Sequence, residues 1–300
     1  MVEFTHILCP IDFSETSIRA LTYATAFTSW YEGQLEVLHV VPLFEDTVPS
    51  ADRGSSGDPD VLATREVIIA ATQRALQEAG AAAVTPTIRA QKGRVHKVIA
   101  DRAQAQPADL LVMGTHGRSG FNRLLLGSVT EKVLRSVHCP VLTVPPAAPA
   151  MTAAAVTFKH ILCAVDYSPS ALGALRYALE LGRQADGCVT VLHALEYMDP
   201  EEPCEHVDFD IRTRRRHFID HARQRLHAQV ASESTTWCEI QETVAIDRAY
   251  KAILQHAVDA KADLIVMGAQ GTAGLELMVY GSNTQHVVRA ATCPVLTVHA

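Results

Sequence analysis

The segment FTHILCPIDFS at Phe4–Ser14 returns 154 positions later as FKHILCAVDYS at Phe158–Ser168. The same offset carries VLHV at 37–40 onto VLHA at 191–194, and ADLLVMGTHG at 108–117 onto ADLIVMGAQG at 262–271. It also carries CPVLTV at 139–144 onto an identical CPVLTV at 293–298. One offset held from end to end means a gapless or nearly gapless duplication, and such self-similarity decides the architecture before any single motif does. A chain of 300 residues then holds two domains of about 150 residues each. The expected boundaries are 1–146 and 157–300, joined by a linker at 147–156 inside the Pro- and Ala-rich run VPPAAPAMTAAAV.

Each half alternates short apolar runs with longer stretches of helical spacing. In the first half HILCPI, LEVLHVV, TPTIRA, DLLVMG and PVLTV read as buried strands. Ala20, Leu21, Ala24 and Phe27 mark one helix between them, and 61–79, 95–105 and 128–136 mark three more. Strands apolar on both faces and alternating with helices argue for a parallel sheet covered on both sides. The fold class expected is therefore α/β, with two doubly wound, five-stranded, Rossmann-like domains in tandem. In such sheets ligands bind beyond the C-terminal strand ends, where the strand order reverses.

Charge and composition exclude several classes of function. Twenty-six Lys and Arg against 33 Asp and Glu give a net charge of −7, so no general nucleic-acid or membrane-surface binder is expected. Aromatics at 6% provide no evident stacking platform for single strands. No run approaches the roughly 20 apolar residues of a membrane span. MVEFTHILCPIDF has no basic n-region and so does not read as a signal peptide. Seven cysteines without a framework suit a reducing, cytoplasmic compartment, and Cys9, Cys139, Cys163 and Cys293, at duplicated strand positions, read as buried thiols.

The chemistry gathers at three strand ends: Asp12 after the first strand, His39 and Val40 at the second, and GTHGRSGFNRLLLGS after the fourth. In the last, Gly114 and Gly117 are followed nine residues on by Gly127 and Ser128, which open a helix. Glycines at a strand-to-helix passage let backbone N–H groups approach an anion, and the helix N-terminus adds partial positive charge. Ser128 can cap the helix or donate to a phosphate, and Arg118 and Arg123 add cationic charge. The alternative is a glycine-rich turn before a capped helix, with no ligand. There is no G-x-x-x-x-G-K-[ST] run, no G-x-G-x-x-G, no loop lysine and no evident base, so fast phosphoryl transfer is not expected.

The pattern G-x-x-G-x9-G-[ST], together with the lone Asp, VLHV and CPVLTV in this order, resembles the universal stress protein family, and both halves carry it. The resemblance implies a tandem member of that family, on the adenine nucleotide alpha hydrolase-like fold. It further implies a cytosolic stress-response role with binding of ATP, or of AMP or ADP, sometimes with Mg2+ or Mn2+. Carried over, Asp12 and Val40 would hold the nucleoside, and Gly114, Gly117, Gly127 and Ser128 the phosphates, with Pro10, Met113, Arg118 and Val129 beside them. In the second half the matching positions are Asp166, Ala194, Gly268, Gly271, Gly281 and Ser282. The family pairs its last strands, which implies an internal pseudo-dimer through 140–144 and 294–298 that covers two apolar edges, with a homodimer of whole chains beyond it.

The second half keeps the spacing and changes the charge. Arg118, Asn122 and Arg123 become Thr272, Glu276 and Leu277, and Gly93 becomes Asp247. A negative loop repels phosphates, so nucleotide is expected mainly in the first domain. Cys204, His206, His217 and His221 form a looser group that could hold zinc or stand on a solvated surface. Residues 45–60 read as a loop near the nucleotide mouth. Three functions remain open at this point: a nucleotide-binding sensor or signalling module, a slow ATPase, and a nucleotide-independent interaction module.

Overall fold

A computed structural model of the chain describes residues 2–42, 59–80, 84–117, 126–196, 210–233, 238–271 and 280–299. It divides into two compact units, Glu3–Val156 and Thr157–Ala300.

In the first unit the chain runs β1 (His6–Ile11), α1 (Glu15–Trp30), β2 (Gln34–Pro42), α2 (Pro59–Glu78), β3 (Thr87–Gly93), α3 (Val95–Ala105), β4 (Leu110–Gly114), α4 (Ser128–Leu134) and β5 (Val141–Val144). Its strands lie in the order β3-β2-β1-β4-β5, and all their pairings are parallel. The second unit repeats this with β6 (His160–Ala164), α5 (Pro169–Ala185), β7 (Cys188–Leu195), α6 (Asp210–Glu233), β8 (Glu239–Ile246), α7 (Ala249–Asp259), β9 (Leu264–Gly268), α8 (Ser282–Ala290) and β10 (Val295–Val298). Its order is β8-β7-β6-β9-β10, again parallel. Each unit is thus the doubly wound α/β domain expected from the alternating pattern.

The core follows from the central strands. Ile7, Leu8 and Cys9 of β1 and Leu110, Leu111 and Val112 of β4 are fully buried, because helices cover both faces of these strands. Helix α1 packs Ala20, Leu21, Ala24 and Phe27 inward, and Phe27 meets Phe4 edge to face with ring centroids 5.2 Å apart. The third strand departs from the expected buried run. TPTIRA becomes β3 only from Thr87, and it is a largely exposed edge strand. An edge strand packs one side against β2 and leaves the rest to solvent, which suits Arg89 and Lys92.

The Pro- and Ala-rich stretch after β5 packs on the first unit. The Arg19 guanidinium donates to the carbonyls of Pro146 and Ala148, and the Ala153 amide donates to the Ala79 carbonyl at 2.9 Å. A short 3-10 turn at Ala153–Ala155 follows, and Val156 is buried.

Cys9, Cys163 and Cys293 are buried, while Cys139 is half-buried at the entry to β5. Burial pushes the Cys9 and Cys163 thiols far above their ordinary value, Cys139 up to about 11 and Cys293 up to about 12. The thiolate is the reactive form, so these four should resist iodoacetamide at neutral pH until the protein unfolds. Peptide mass mapping after a native pulse checks this. Rapid native labelling of Cys9 or Cys163 would contradict the burial.

Candidate functional site

The strand order reverses between β1 and β4, so their C-terminal ends open a crevice at the edge of the sheet. Asp12 stands there, one residue past β1. Its Oδ1 accepts the Ser14 amide at 3.0 Å and the Ser14 hydroxyl at 2.5 Å, closing a turn in which Phe13 has φ +63°. That left-handed conformation costs a non-glycine residue about 1–2 kcal/mol, and the aspartate hydrogen bonds offset it. Ser14 is also the N-cap of α1, accepting the Ser17 amide. One carboxylate therefore links the end of the strand to the start of the helix.

The loop after β4 comes back onto this turn. A Cβ placed on Gly117 would sit 2.7 Å from Asp12 Oδ2, so only glycine lets the chain pass the carboxylate so closely. The Thr16 hydroxyl donates to the His116 carbonyl and pins the loop's first residues to α1. His39, in β2 opposite Ile11, donates from Nδ1 to the Ile11 carbonyl at 2.8 Å, and its ring lies 4.8 Å from that of Phe13. It is a satisfied strand-end histidine, and Val40 follows it in the strand, buried. Pro10 lies in β1 and Met113 in β4, both within the buried sheet.

Two of these glycines also answer packing needs inside the unit. A Cβ on Gly114 would come within 3.0 Å of the Thr16 backbone, so this glycine lets α1 lie close on β4. A Cβ on Gly127 would meet the Thr115 carbonyl at 2.8 Å, and the Gly127 amide already donates to that same oxygen at 2.8 Å. Its amide is thus spent within the protein. Gly127, not Ser128, occupies the N-cap of α4; Ser128 is the first helical residue, exposed, with Val129 half-buried behind it. Thr130 closes the arrangement by donating from Oγ1 to the Gly114 carbonyl at 3.0 Å. Sequence spacing did not reveal Thr16 or Thr130, whose hydroxyls clamp the loop from two helices.

The second unit repeats most of these contacts. Asp166 Oδ1 accepts the Ser168 amide at 3.0 Å and its hydroxyl at 2.6 Å, Tyr167 has φ +65°, and a Cβ on Gly271 would lie 2.8 Å from Asp166 Oδ2. Gly268 abuts Ser170 and Ala171, and Gly281 caps α8 ahead of Ser282. His193 donates to the Val165 carbonyl at 2.8 Å, beside Ala194. Here the Arg225 guanidinium lies 3.8 Å over the Tyr167 ring, a cation–π contact that the first unit, with Ala71 at that position, cannot make.

Arg118, Asn122 and Arg123, and their counterparts Thr272, Glu276 and Leu277, lie outside the described residues, as do Cys204, His206 and the loop at 45–58. His217 and His221 are exposed on α6. Among the described residues no three His, Cys, Asp or Glu side chains gather into a metal-binding group. No described helix is long and apolar enough to cross a membrane.

The profile of the universal stress protein family matches residues 3–145 and again 157–299. The chain belongs to that family. As a tandem universal stress protein it shares 30% identity over 145 residues with a universal stress protein of Methanocaldococcus jannaschii, an alignment covering 47% of this chain and 82% of the relative. A Mycobacterium tuberculosis universal stress protein is 26% identical over 204 residues, covering 63% of this chain and 61% of the relative. The match thus spans less than two thirds of that relative's length. Among solved structures, a universal stress protein from Archaeoglobus fulgidus superposes with a TM-score of 0.66 at 24% identity, covering 98% of this chain and 95% of that one. That likeness extends the shared fold across both units. Membership places the protein in a family named for the general response to stress.

Proposed function

We propose that the first unit binds an adenine nucleotide, ATP or a close relative, and that occupancy makes the protein a stress-linked sensor or signalling module. The observation that carries this reading is the contact of Asp12 with the Gly117 position at the strand reversal. It brings the acid that would take the nucleoside against the loop that would take the phosphates. Asp12 would accept from the ribose, with Val40 as the neighbouring backbone group. Ser128 and the first amides of α4 would donate to phosphate, helped by Arg118 and Arg123. The missing Cβ at Gly117 fits such a ligand, because it leaves the loop backbone close to the carboxylate. Bound ATP supplies a polyanion, and Mg2+ or Mn2+ would arrive on its phosphates. The site belongs to a cytoplasmic protein in this proposal.

A second reading has its own support. Gly114 and Gly127 are each required by a protein contact, with the Thr16 backbone and with the Thr115 carbonyl, whether or not a ligand binds. The loops would then serve a nucleotide-independent interaction module. Mass spectrometry of the purified protein after denaturation separates the two. Co-purified ATP, ADP or AMP near one equivalent supports the first reading. An empty protein that also shows no heat on titration with ATP supports the second.

A further inference from the structure

The entrance to the second unit carries a carboxylate for which the first unit has no counterpart. Glu196, one residue past β7, accepts on the single atom Oε1 from the Ala249 amide at 2.8 Å and from Asn283 Nδ2 at 3.2 Å. Ala249 is the first residue of α7 and Asn283 the second residue of α8, so one oxygen bridges the N-termini of two helices. Both ends carry partial positive charge, and both have amides without intrahelical acceptors. The matching residues of the first unit are Pro42 and Val129, which have neither the acid nor the side-chain amide. The two replacements are complementary, since each supplies what the other bonds to.

The surroundings change in the same sense. Asp247, where the first unit has Gly93, turns its Oδ1 to the Arg248 amide at 2.6 Å, adding a second carboxylate beside the start of α7. Past the end of β6, Arg225 covers the Tyr167 ring, which also lies 4.6 Å from the His193 ring. The residue matching Val129, beside the phosphate end, and the residue after Asp166 are thus both engaged by the second unit's own side chains.

We infer that Glu196 is a built-in anion that excludes phosphate-bearing ligands from the second unit, so that the chain takes up one nucleotide rather than two. The inference deepens the nucleotide-binding reading and rests on it for the ligand class. A carboxylate bonded at the N-terminus of α7 and to the Asn283 side chain of α8 adds negative charge where those helix ends would otherwise favour a phosphate, and it repels one there. In sequence, the stretch between the second and third glycines changes from Arg118 and Arg123 to Thr272 and Leu277, which removes two cations that would favour a phosphate.

The test uses the full chain and the Glu196→Gln variant, which keeps an acceptor of the same size and removes the charge. Both are titrated with ATP and with inorganic pyrophosphate, and backbone amide resonances report which unit responds. The wild type is expected to bind one ATP, with shifts confined to the first unit. In the variant, resonances of 249 and 281–284 should move with either probe, at an affinity at least about tenfold above that of the wild-type second unit. Unchanged second-unit resonances in Glu196→Gln, or two equivalent ATP sites in the wild type, would overturn the inference. If the first unit ignores ATP while the variant's second unit gains pyrophosphate binding, the nucleotide reading falls and the role of Glu196 stands. A variant with altered thermal unfolding is replaced by Glu196→Ala, which removes the carboxylate altogether and is read by the same resonances.

Discussion

Gly117→Val is expected to weaken ATP binding about ten- to hundredfold, while Gly271→Val leaves it unchanged. The two substitutions are matched controls, because the first added atom meets the same obstacle in both units. At Gly117 a Cβ would stand 2.7 Å from Asp12 Oδ2, and at Gly271 it would stand 2.8 Å from Asp166 Oδ2. Neither carboxylate can simply swing away, since Oδ1 is held by a serine amide and hydroxyl in each case. The loop or the acid must move, and local strain is therefore similar in the two variants. Only the ligand separates them. Displacing Asp12 costs a charge-assisted hydrogen bond, about 1.5–3 kcal/mol, and each 1.4 kcal/mol is about tenfold in affinity. Calorimetric titration with ATP reads the result. Equal losses in both variants, or a loss in Gly271→Val alone, would show that the first unit is not the preferred site.

The legibility of this chain in its sequence came from its duplication. With a fixed offset of 154, every element found once could be sought again, and the helix expected at 95–105 is α3 with the same limits. Strands and helices were visible because apolar spacing reports burial directly. Their order in the sheet was not, because adjacency depends on which edges pair. Thus TPTIRA looked like a core strand and proved to be the edge. The candidate site was legible as a cluster of special residue types, of which Asp12 and Gly117 lie against each other at the strand reversal. Which atom each residue contributes was hidden. Gly114 and Gly127 are explained by backbone approaches to Thr16 and Thr115, residues whose proximity follows only from packing α1 and α4 against β4. Glu196 was passed over for a similar reason, since its partners lie 53 and 87 positions away.

A comparable separation hid a buried ion pair of the first unit, 66 positions apart in LEVLHVV and α3. Glu36 in β2 is 3% exposed, and Arg102 grips it in a fork, Nε to Oε1 and Nη2 to Oε2, both at 2.6 Å. Arg89 of the edge strand adds a third contact at 3.2 Å. The corresponding residues of the second unit are Thr190, His256 and Thr243, so the pair belongs to one unit only. Removing one partner of a buried pair leaves an uncompensated charge and costs about 3 kcal/mol or more. Arg102→Met should accordingly lower the unfolding midpoint of the first unit by about 6–12 °C, at roughly 2–4 °C per kcal/mol for a unit this size. The pH dependence follows from Glu36. Burial alone would raise its carboxyl, but the guanidinium of Arg102, with that of Arg89, more than reverses this and holds it below the usual range. Its stabilisation is thus complete above the unfolded-state value of about 4.3 and is lost as pH falls through the lower folded value. In Arg102→Met the burial is no longer opposed by Arg102, so acid relieves the variant by protonating Glu36. The gap in unfolding temperature between wild type and variant should therefore shrink from pH 7 toward pH 4 and below. Glu36→Leu combined with Arg102→Met should recover most of the loss at pH 7, because neither charge is then left buried alone. A gap that stays constant with pH, or a double variant as unstable as the single one, would mean that α3 is held to the sheet by its apolar contacts and not by this pair.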